Sequence, residues 1–225
     1  HRVLAKLIER GEIEKIGRSP KVYYSLINKP LSFTPKAEDI SDIEKGFLDD
    51  HFNLFTEKGY EINGAEAFEK WCSKQKLPFA KTVKEYIKTR EKYLAYYGKN
   101  NLIDGTEKLI NTKAFVRVCI DKMYYGDFYA IEWFGKTKLG NIIHFAKQGQ
   151  NKPLMEKICV MLKPALEKLI EQNNIEAVGY IPPTIKRDVQ LMNYMKRSLN
   201  LPLPHINLKK VTGIIPIPQK ALAKI

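Results

Sequence analysis

The sequence has few cysteines and no long apolar run. Its 225 residues include three cysteines, Cys72, Cys119 and Cys159, which lie far apart and form no Cys-x-x-Cys pair. This number and spacing exclude a zinc ribbon and a disulfide framework, so we expect three ordinary buried thiols in a reducing compartment. No apolar run is long enough to cross a bilayer and no signal peptide is visible. We therefore predict a cytoplasmic protein that does not bind a membrane.

Histidine is also scarce, and the histidines are scattered. His51, His144 and His205 each lack a partner at the spacing typical of metal ligands. His144 has apolar neighbours on both sides in "IIHFAKQGQ", which indicates a structural histidine. The sequence therefore predicts no metal site built from protein side chains.

Acidic residues are scarce at the two ends of the chain. Residues 1–33 contain seven Lys or Arg against three Asp or Glu, whereas residues 34–100 contain twelve of each kind. Residues 183–225 contain eight Lys or Arg, and Asp188 is their single acid. Because the net charge of +13 is concentrated at the ends, we expect two anion-binding surfaces that flank a neutral middle region.

Residues 1–33 have the pattern of a helix followed by a β-hairpin. In "HRVLAKLIERGEIEKIGRSPKVYYSLI", apolar residues recur at helical spacing, and a turn at residues 17–20 joins two short strand-like segments. This order resembles the second half of a winged helix-turn-helix domain. A protein-interaction module or a solvated basic face is the alternative. The resemblance implies phosphate contacts with DNA from the helix and from the wing, by Arg2, Lys6, Arg18 and Lys21.

The central part of the chain changes from a helical to a strand-like pattern. Within residues 34–112, apolar residues at helical spacing predict about three helices between residues 38 and 97, which we interpret as a connecting or interaction domain. The next stretch, "FVRVCIDKMYYGDFYAIEWF", is β-branched and aromatic. It predicts a half-buried β-sheet with a hairpin turn at Tyr125-Gly126-Asp127. A base-stacking platform for nucleic acid is the alternative interpretation.

The C-terminal part, residues 113–225, ends in alternating helices and strands. Helical spacing at residues 154–172 and 189–199, with apolar runs at 175–181 and 205–211, predicts an α/β fold with a parallel sheet. Ligands of such sheets bind beyond the carboxyl ends of the strands, and a helix N-terminus in that position attracts anions. We therefore predict that the loop after the first strand binds a phosphorylated ligand through Pro183, Thr184, Lys186 and Arg187.

Three stretches of this region carry a resemblance to a known family. They are "IEAVGYIPPTIKRDVQLMNYMKRSLNLPLPHINLKK", "IPQKALAKI" and, upstream, "NIIHFAKQGQNKPLMEKI" with Lys147 and Gly149. Their order and spacing resemble the ComF-like, or competence-type, phosphoribosyltransferases. The resemblance implies a phosphoribosyltransferase-type (Rossmann-like) parallel sheet, with phosphoribosyl pyrophosphate (PRPP) and Mg²⁺ at the predicted anion loop. It also implies a flexible loop at residues 212–225 whose phosphate-facing residues are Gln219, Lys220 and Lys224.

The sequence departs from that family in two ways. The four-cysteine zinc ribbon common in the family is absent, and the helical region and winged helix stand in its place. The family's ribose-phosphate signature, an acidic pair followed by a Thr/Gly-rich loop, does not occur before Ile225. We therefore assign no catalytic residue, and we expect the natural protein to continue beyond this point.

These features support three interpretations of function. The preferred one is an enzyme that transfers phosphoribose from PRPP to an acceptor, largely by positioning and by neutralising the pyrophosphate. The second is a PRPP-responsive transcriptional regulator without catalysis. The third is a nucleic-acid handling protein of the kind involved in DNA uptake. DNA and PRPP or another phosphorylated ligand are the expected partners, and we allow for a homodimer.

Overall fold

The computed structural model describes residues 2–9, 13–18, 21–26, 40–112, 118–183 and 187–209. The chain divides into two compact units, His1–Lys36 and Ala37–Ile225. Within the described residues helices predominate, and each sheet has two strands. No helix in these ranges is both long and apolar enough to cross a membrane.

The N-terminal unit contains the helix and the hairpin that the sequence predicts. Helix α1 (Arg2–Glu9) is followed by strands β1 (Ile13–Arg18) and β2 (Lys21–Leu26), which pair in antiparallel register. The register runs from Ile13 opposite Leu26 to Arg18 opposite Lys21. Its status as a winged helix, and its role in binding DNA, stay predictions.

The larger unit opens with three helices, as the sequence predicts. These are α2 (Asp42–His51), α3 (Gly64–Gln75) and α4 (Phe79–Leu94). Helix α2 begins with a capping box, in which the Ser41 hydroxyl accepts from the Glu44 amide and the Glu44 carboxylate accepts from the Ser41 amide. A short antiparallel hairpin that was not predicted lies between α2 and α3, formed by β3 (Asn53–Phe55) and β4 (Glu61–Asn63).

Aromatic side chains form the centre of the first core. Phe52 packs edge-to-face on Phe68 and on Tyr86, with ring centroids 4.8 Å and 5.4 Å apart, and Tyr86 packs on Phe134 at 5.2 Å. Phe134 lies beyond the predicted domain boundary at residues 112 and 113, yet its side chain is buried in this core. Residues on both sides of that boundary therefore pack together.

The aromatic stretch after residue 118 forms short strands rather than the predicted hairpin. Strand β5 (Ile103–Asp104), which precedes helix α5 (Thr106–Ile110), pairs with β6 (Tyr124–Tyr125). Strand β7 (Ala130–Ile131) pairs instead with β8 (Gly135–Lys136) across a 3₁₀ turn. The hairpin turn predicted at Tyr125-Gly126-Asp127 is therefore wrong, because the strands on either side of it, β6 and β7, each pair with a different partner.

The C-terminal part is built on packed helices. Helices α6 (Lys138–Gln148) and α7 (Lys152–Asn173) share a core, and α8 (Leu191–Ser198) packs against α7. Strands β9 (Val178–Gly179) and β10 (His205–Ile206) pair in parallel, with α8 between them in the sequence. The order helix, strand, helix, strand is thus as predicted.

The predicted α/β fold class with a Rossmann-like parallel sheet is nevertheless wrong for the part of the chain that the structure describes. The parallel pair has only two residues in each strand. A strand inside a parallel sheet is buried on both faces, but Ile181 is 72% exposed, and Ile175 and Ile206 are exposed as well. Pro182 and Pro183 cannot donate to a strand ladder, so β9, which ends at Gly179, could not have continued beyond Ile181.

The cysteines are also not all buried. Cys72 and Cys159 lie in cores, as predicted, but Cys119 is exposed, so the prediction of three buried thiols is wrong at that position. Burial raises the pKa of the Cys72 thiol to about 12 and also raises that of Cys159. Both buried thiols are therefore protonated and unreactive near neutral pH.

Candidate functional site

The predicted anion-binding loop is described in part. Pro183 and Arg187 are both half-buried, whereas Thr184 and Lys186 lie outside the described residues. The Arg187 guanidinium donates a hydrogen bond to the carbonyl oxygen of Lys147, in the last turn of α6. A cation at this end of a helix is stabilised by the carbonyl groups that lack intrahelical partners.

Further hydrogen bonds fix the segment after Arg187. The backbone N–H of Val189 donates to Gln150 Oε1 at 2.8 Å, and Gln190 Nε2 donates to the Arg187 carbonyl at 3.1 Å. Gln150 belongs to the turn between α6 and α7. Two segments of the chain that carry the family resemblance, about Lys147 and about Arg187, are therefore in contact.

The other predicted site residues are only partly covered by the structure. Gln219, Lys220 and Lys224 lie outside the described residues. In the N-terminal unit, the side chain of Lys6 is exposed on α1. The backbone of Arg2 begins the same helix. The backbones of Arg18 and Lys21 face each other at the end of the hairpin.

A buried polar network that the sequence analysis missed joins α4 to the segment after β6. Arg90 donates from Nη1 to Asp127 Oδ1 at 3.0 Å and from Nη2 to Asp127 Oδ2 at 3.1 Å. The Tyr97 hydroxyl also donates to Asp127 Oδ1, and the backbone N–H of Phe128 does so at 2.7 Å. The charge on Asp127 is thus compensated by one cation and two further donors.

Burial changes the protonation behaviour of this network. Burial disfavours the charged form of Arg90, but the hydrogen bonds and charge of Asp127 outweigh that effect and raise its pKa. The pKa of Tyr97 is raised first by burial and then by Asp127. Both side chains keep their protons throughout the physiological range, so the network is a fixed structural pair and not a proton relay.

A cavity of about 310 Å³ lies beside this network. One wall is polar and includes Asp50, His51, Arg90, Asp127 and Lys138; the other is apolar and comes mainly from α7. Burial lowers the pKa of His51, and the nearby Arg90 lowers it further, so this imidazole is neutral at pH 7. Burial also lowers the pKa of Lys138, whose ammonium group donates to the Asp49 carbonyl.

One signal in the sequence points to this site. Val83, Tyr86 and Arg90 follow one another at helical spacing on α4, and all three are buried. An arginine on the apolar face of a helix requires a buried carboxylate partner, because an unpaired buried charge is very costly. The identity of that partner, Asp127, could not be deduced, because it comes from a segment that lies 37 residues away.

Comparisons of the chain with protein-family models, curated proteins and solved structures found no match. The resemblances to winged helices and to ComF-like phosphoribosyltransferases therefore stay predictions.

Proposed function

We propose that the chain binds a phosphorylated ligand of the PRPP class at the loop after β9, and that it binds DNA through its N-terminal unit. The observation that carries the first part is the contact of Arg187 with the Lys147 carbonyl. This contact brings Arg187 to the helix end that also bears the exposed side chain of Lys147. Lys147 and Arg187 come from distant parts of the chain, and together they would supply two cations for a polyanionic ligand.

The position of the loop in the chain supports the same proposal. The loop leaves the carboxyl end of β9, which pairs in parallel with β10, and it leads to α8. Only one of the five N–H donors of Arg187 is needed for the Lys147 carbonyl, so the others can contact phosphate oxygens. Asp188 is the only acid between residues 183 and 225 and it is exposed, so it opposes an anion only weakly.

We expect Mg²⁺ to bind together with the phosphorylated ligand. Among residues 40–112, 118–183 and 187–209, no group of three His, Cys, Asp or Glu side chains could hold a metal ion. A Mg²⁺ ion bound to the pyrophosphate would keep most of its ligands from phosphate oxygens and water, as is usual for this ion. The chain's own contribution is then to orient the phosphates and to offset their charge.

Calorimetry of PRPP with Mg²⁺ tests the site directly. Replacement of both Lys186 and Arg187 with Ala should weaken binding by about 2 kcal/mol, because charge-assisted hydrogen bonds are lost. Lys196→Ala with Arg197→Ala is the matched control, since it also removes two positive charges, and among the described hydrogen bonds Arg197 contacts only its own helix α8. Equal affinity of wild type and the double variant would overturn the proposal.

A second experiment separates transfer from sensing. An enzyme should consume PRPP when it is mixed with a panel of nucleobase acceptors, and the double variant should lose that turnover. A regulator should bind PRPP without turnover, and PRPP should change the affinity for DNA. If DNA binds but PRPP neither turns over nor alters that affinity, the nucleic-acid handling interpretation is favoured.

DNA binding has its own supporting observation. The hairpin register sets Arg18 opposite Lys21 at the end of β1 and β2, and Lys6 is exposed on α1. A wing with two basic residues at its tip is suited to contacts with backbone phosphates, which supply most non-specific affinity. This second part of the proposal is independent of the PRPP site and has a separate test in the Discussion.

A further inference from the structure

One exposed tyrosine of the aromatic stretch is oriented by two neighbours. Tyr129, which precedes β7, is 54% exposed, and its hydroxyl shares a hydrogen bond of 3.3 Å with Nδ1 of His144 on α6. The Lys136 ammonium, on β8, lies over the Tyr129 ring at 5.9 Å from its centroid. The aromatic ring is therefore held from two sides, and it still offers a large accessible surface to a ligand.

The exposed side of α6 extends this surface. Lys147 is exposed and lies three residues after His144, so the two side chains are neighbours on one face of the helix. Phe145 is also exposed; its ring packs against Phe55 with centroids 4.3 Å apart and lies 5.2 Å from the His144 ring. Together these side chains form a surface that we call the α6 strip: Tyr129, Lys136, His144, Phe145 and Lys147.

The segment that carries the α6 strip is positively charged. Residues 133–155 contain four lysines and neither Asp nor Glu. The acids at both borders of this range are engaged in other contacts. Glu132 pairs with Lys92 at 3.1 Å, and the carboxylate of Glu156 accepts a hydrogen bond of 2.9 Å from the Tyr194 hydroxyl. The positive charge of this segment therefore favours an anionic partner.

The combination of aromatic rings and lysines matches the chemistry of a single-stranded nucleic acid. Unpaired bases stack on aromatic side chains whatever their sequence, while lysines neutralise the phosphates. Lys136 is close enough to the Tyr129 ring to reach the phosphate of a nucleotide whose base stacks there. A duplex keeps its base faces covered and a simple polyanion has no bases, so neither would use the aromatic rings.

We propose that the α6 strip binds single-stranded nucleic acid, with a base stacked on Tyr129 and phosphates at Lys136 and Lys147. The strip belongs to the larger unit, so it is distinct from the N-terminal hairpin proposed for DNA. Lys147 also lies at the helix end proposed for PRPP, but stacking on Tyr129 does not require that ligand.

Fluorescence anisotropy with a labelled oligothymidine of about twelve nucleotides measures this binding, since such a length spans a typical single-strand site. The full chain carries Arg18→Ala and Lys21→Ala in every measurement, so that the proposed hairpin contacts do not contribute; this chain is the parent. We expect saturable binding of oligothymidine by the parent. An abasic oligomer of the same length keeps the phosphates and should bind about tenfold more weakly, because stacking is lost.

Variants of Tyr129 test the stacking. Tyr129→Ala should weaken oligothymidine binding about tenfold, whereas Tyr129→Phe keeps an aromatic face and should bind within about twofold of the parent. Circular dichroism should first establish that both variants are folded. If Tyr129→Ala does not fold, the comparison of oligothymidine with the abasic oligomer decides.

A variant of Lys136 tests the phosphate contact. Lys136→Gln should reduce the slope of log K against log salt by about 0.7, as expected for one phosphate contact with a single strand. Lys84→Gln removes the same charge from the exposed side of α4 and is the matched control, which should leave the slope unchanged.

Several results would overturn the proposal. These are the absence of saturable oligothymidine binding, equal affinity for the abasic oligomer, and equal affinity of Tyr129→Ala and the parent. Failure of the PRPP proposal would look different, because oligothymidine would still bind while PRPP does not. Conversely, Tyr129→Ala should keep the affinity of the parent for PRPP, and an equal loss of both ligands would mean that the variant damages the larger unit rather than a stacking contact.

Discussion

Arg90 and Asp127 form a bidentate ion pair, and their side chains are only 5% and 9% exposed. The pair connects the middle of α4 to the segment after β6, which are separated by 37 residues in sequence. Such a pair is costly to bury but far more costly to break, because the remaining charge loses its partner without regaining water.

This relationship predicts a large effect of removing one partner. Arg90→Ala should lower the free energy of unfolding by about 3–5 kcal/mol, since Asp127 would stay buried with an uncompensated charge. The double variant Arg90→Met with Asp127→Leu should lower the free energy of unfolding much less, because no buried charge is left. Urea unfolding at pH 7 measures the free energy of unfolding of both variants. Lys92→Ala, which breaks the exposed pair with Glu132, is the control and should have little effect.

A result in which Arg90→Ala is no worse than Lys92→Ala would mean that the pair is hydrated in solution.

The pH dependence of stability should reflect His51. Its pKa in the folded chain is lowered by burial and by Arg90, so below pH 6.5 the unfolded chain binds more protons than the folded chain. The free energy of unfolding should therefore fall as the pH drops from 7 towards 5. His51→Gln should flatten this part of the profile, as followed by urea unfolding at several pH values.

If His51→Gln and wild type lose stability equally over this interval, the imidazole is not buried in its neutral form.

The structure also explains which features could be deduced from the sequence. The three helices of the middle region follow from apolar spacing such as that of Val83 and Tyr86, because one helix face is buried. The hairpin between α2 and α3 was missed because strands of three residues are too short to show alternation.

The parallel pairing of β9 and β10 was predicted, but not its short length. An apolar run such as residues 175–181 indicates burial on both faces, yet Ile181 is exposed and only Val178 and Gly179 pair with β10. The cavity could not be predicted, because Asp50, Arg90, Asp127 and Lys138 come from four separate segments that meet only in the folded chain.

Binding of DNA by the hairpin should depend on salt. If Arg18 and Lys21 each contact a phosphate, replacing both with Ala should lower affinity and reduce the slope of log K against log salt by about two units. Fluorescence anisotropy with a labelled duplex at several salt concentrations measures this slope. Lys163→Ala with Lys168→Ala removes the same charge from α7 and should reduce the slope by less. An identical slope in the wing variant and wild type would show that the hairpin does not contact DNA.

Two glycines inside helices should respond oppositely to alanine. A Cβ at Gly46, in α2, would meet no atom within 4 Å, so Gly46→Ala should stabilise the chain by roughly 0.5–1 kcal/mol through helix propensity. A Cβ at Gly140, in α6, would collide with the backbone carbonyl oxygen of Tyr129, which already accepts from the Thr137 amide at 3.1 Å. Backbone atoms cannot rotate away, so Gly140→Ala should destabilise the chain despite the same gain in propensity. Thermal unfolding of both variants decides the matter. If Gly140→Ala is as stable as Gly46→Ala, the start of α6 does not pack against the carbonyl group of Tyr129.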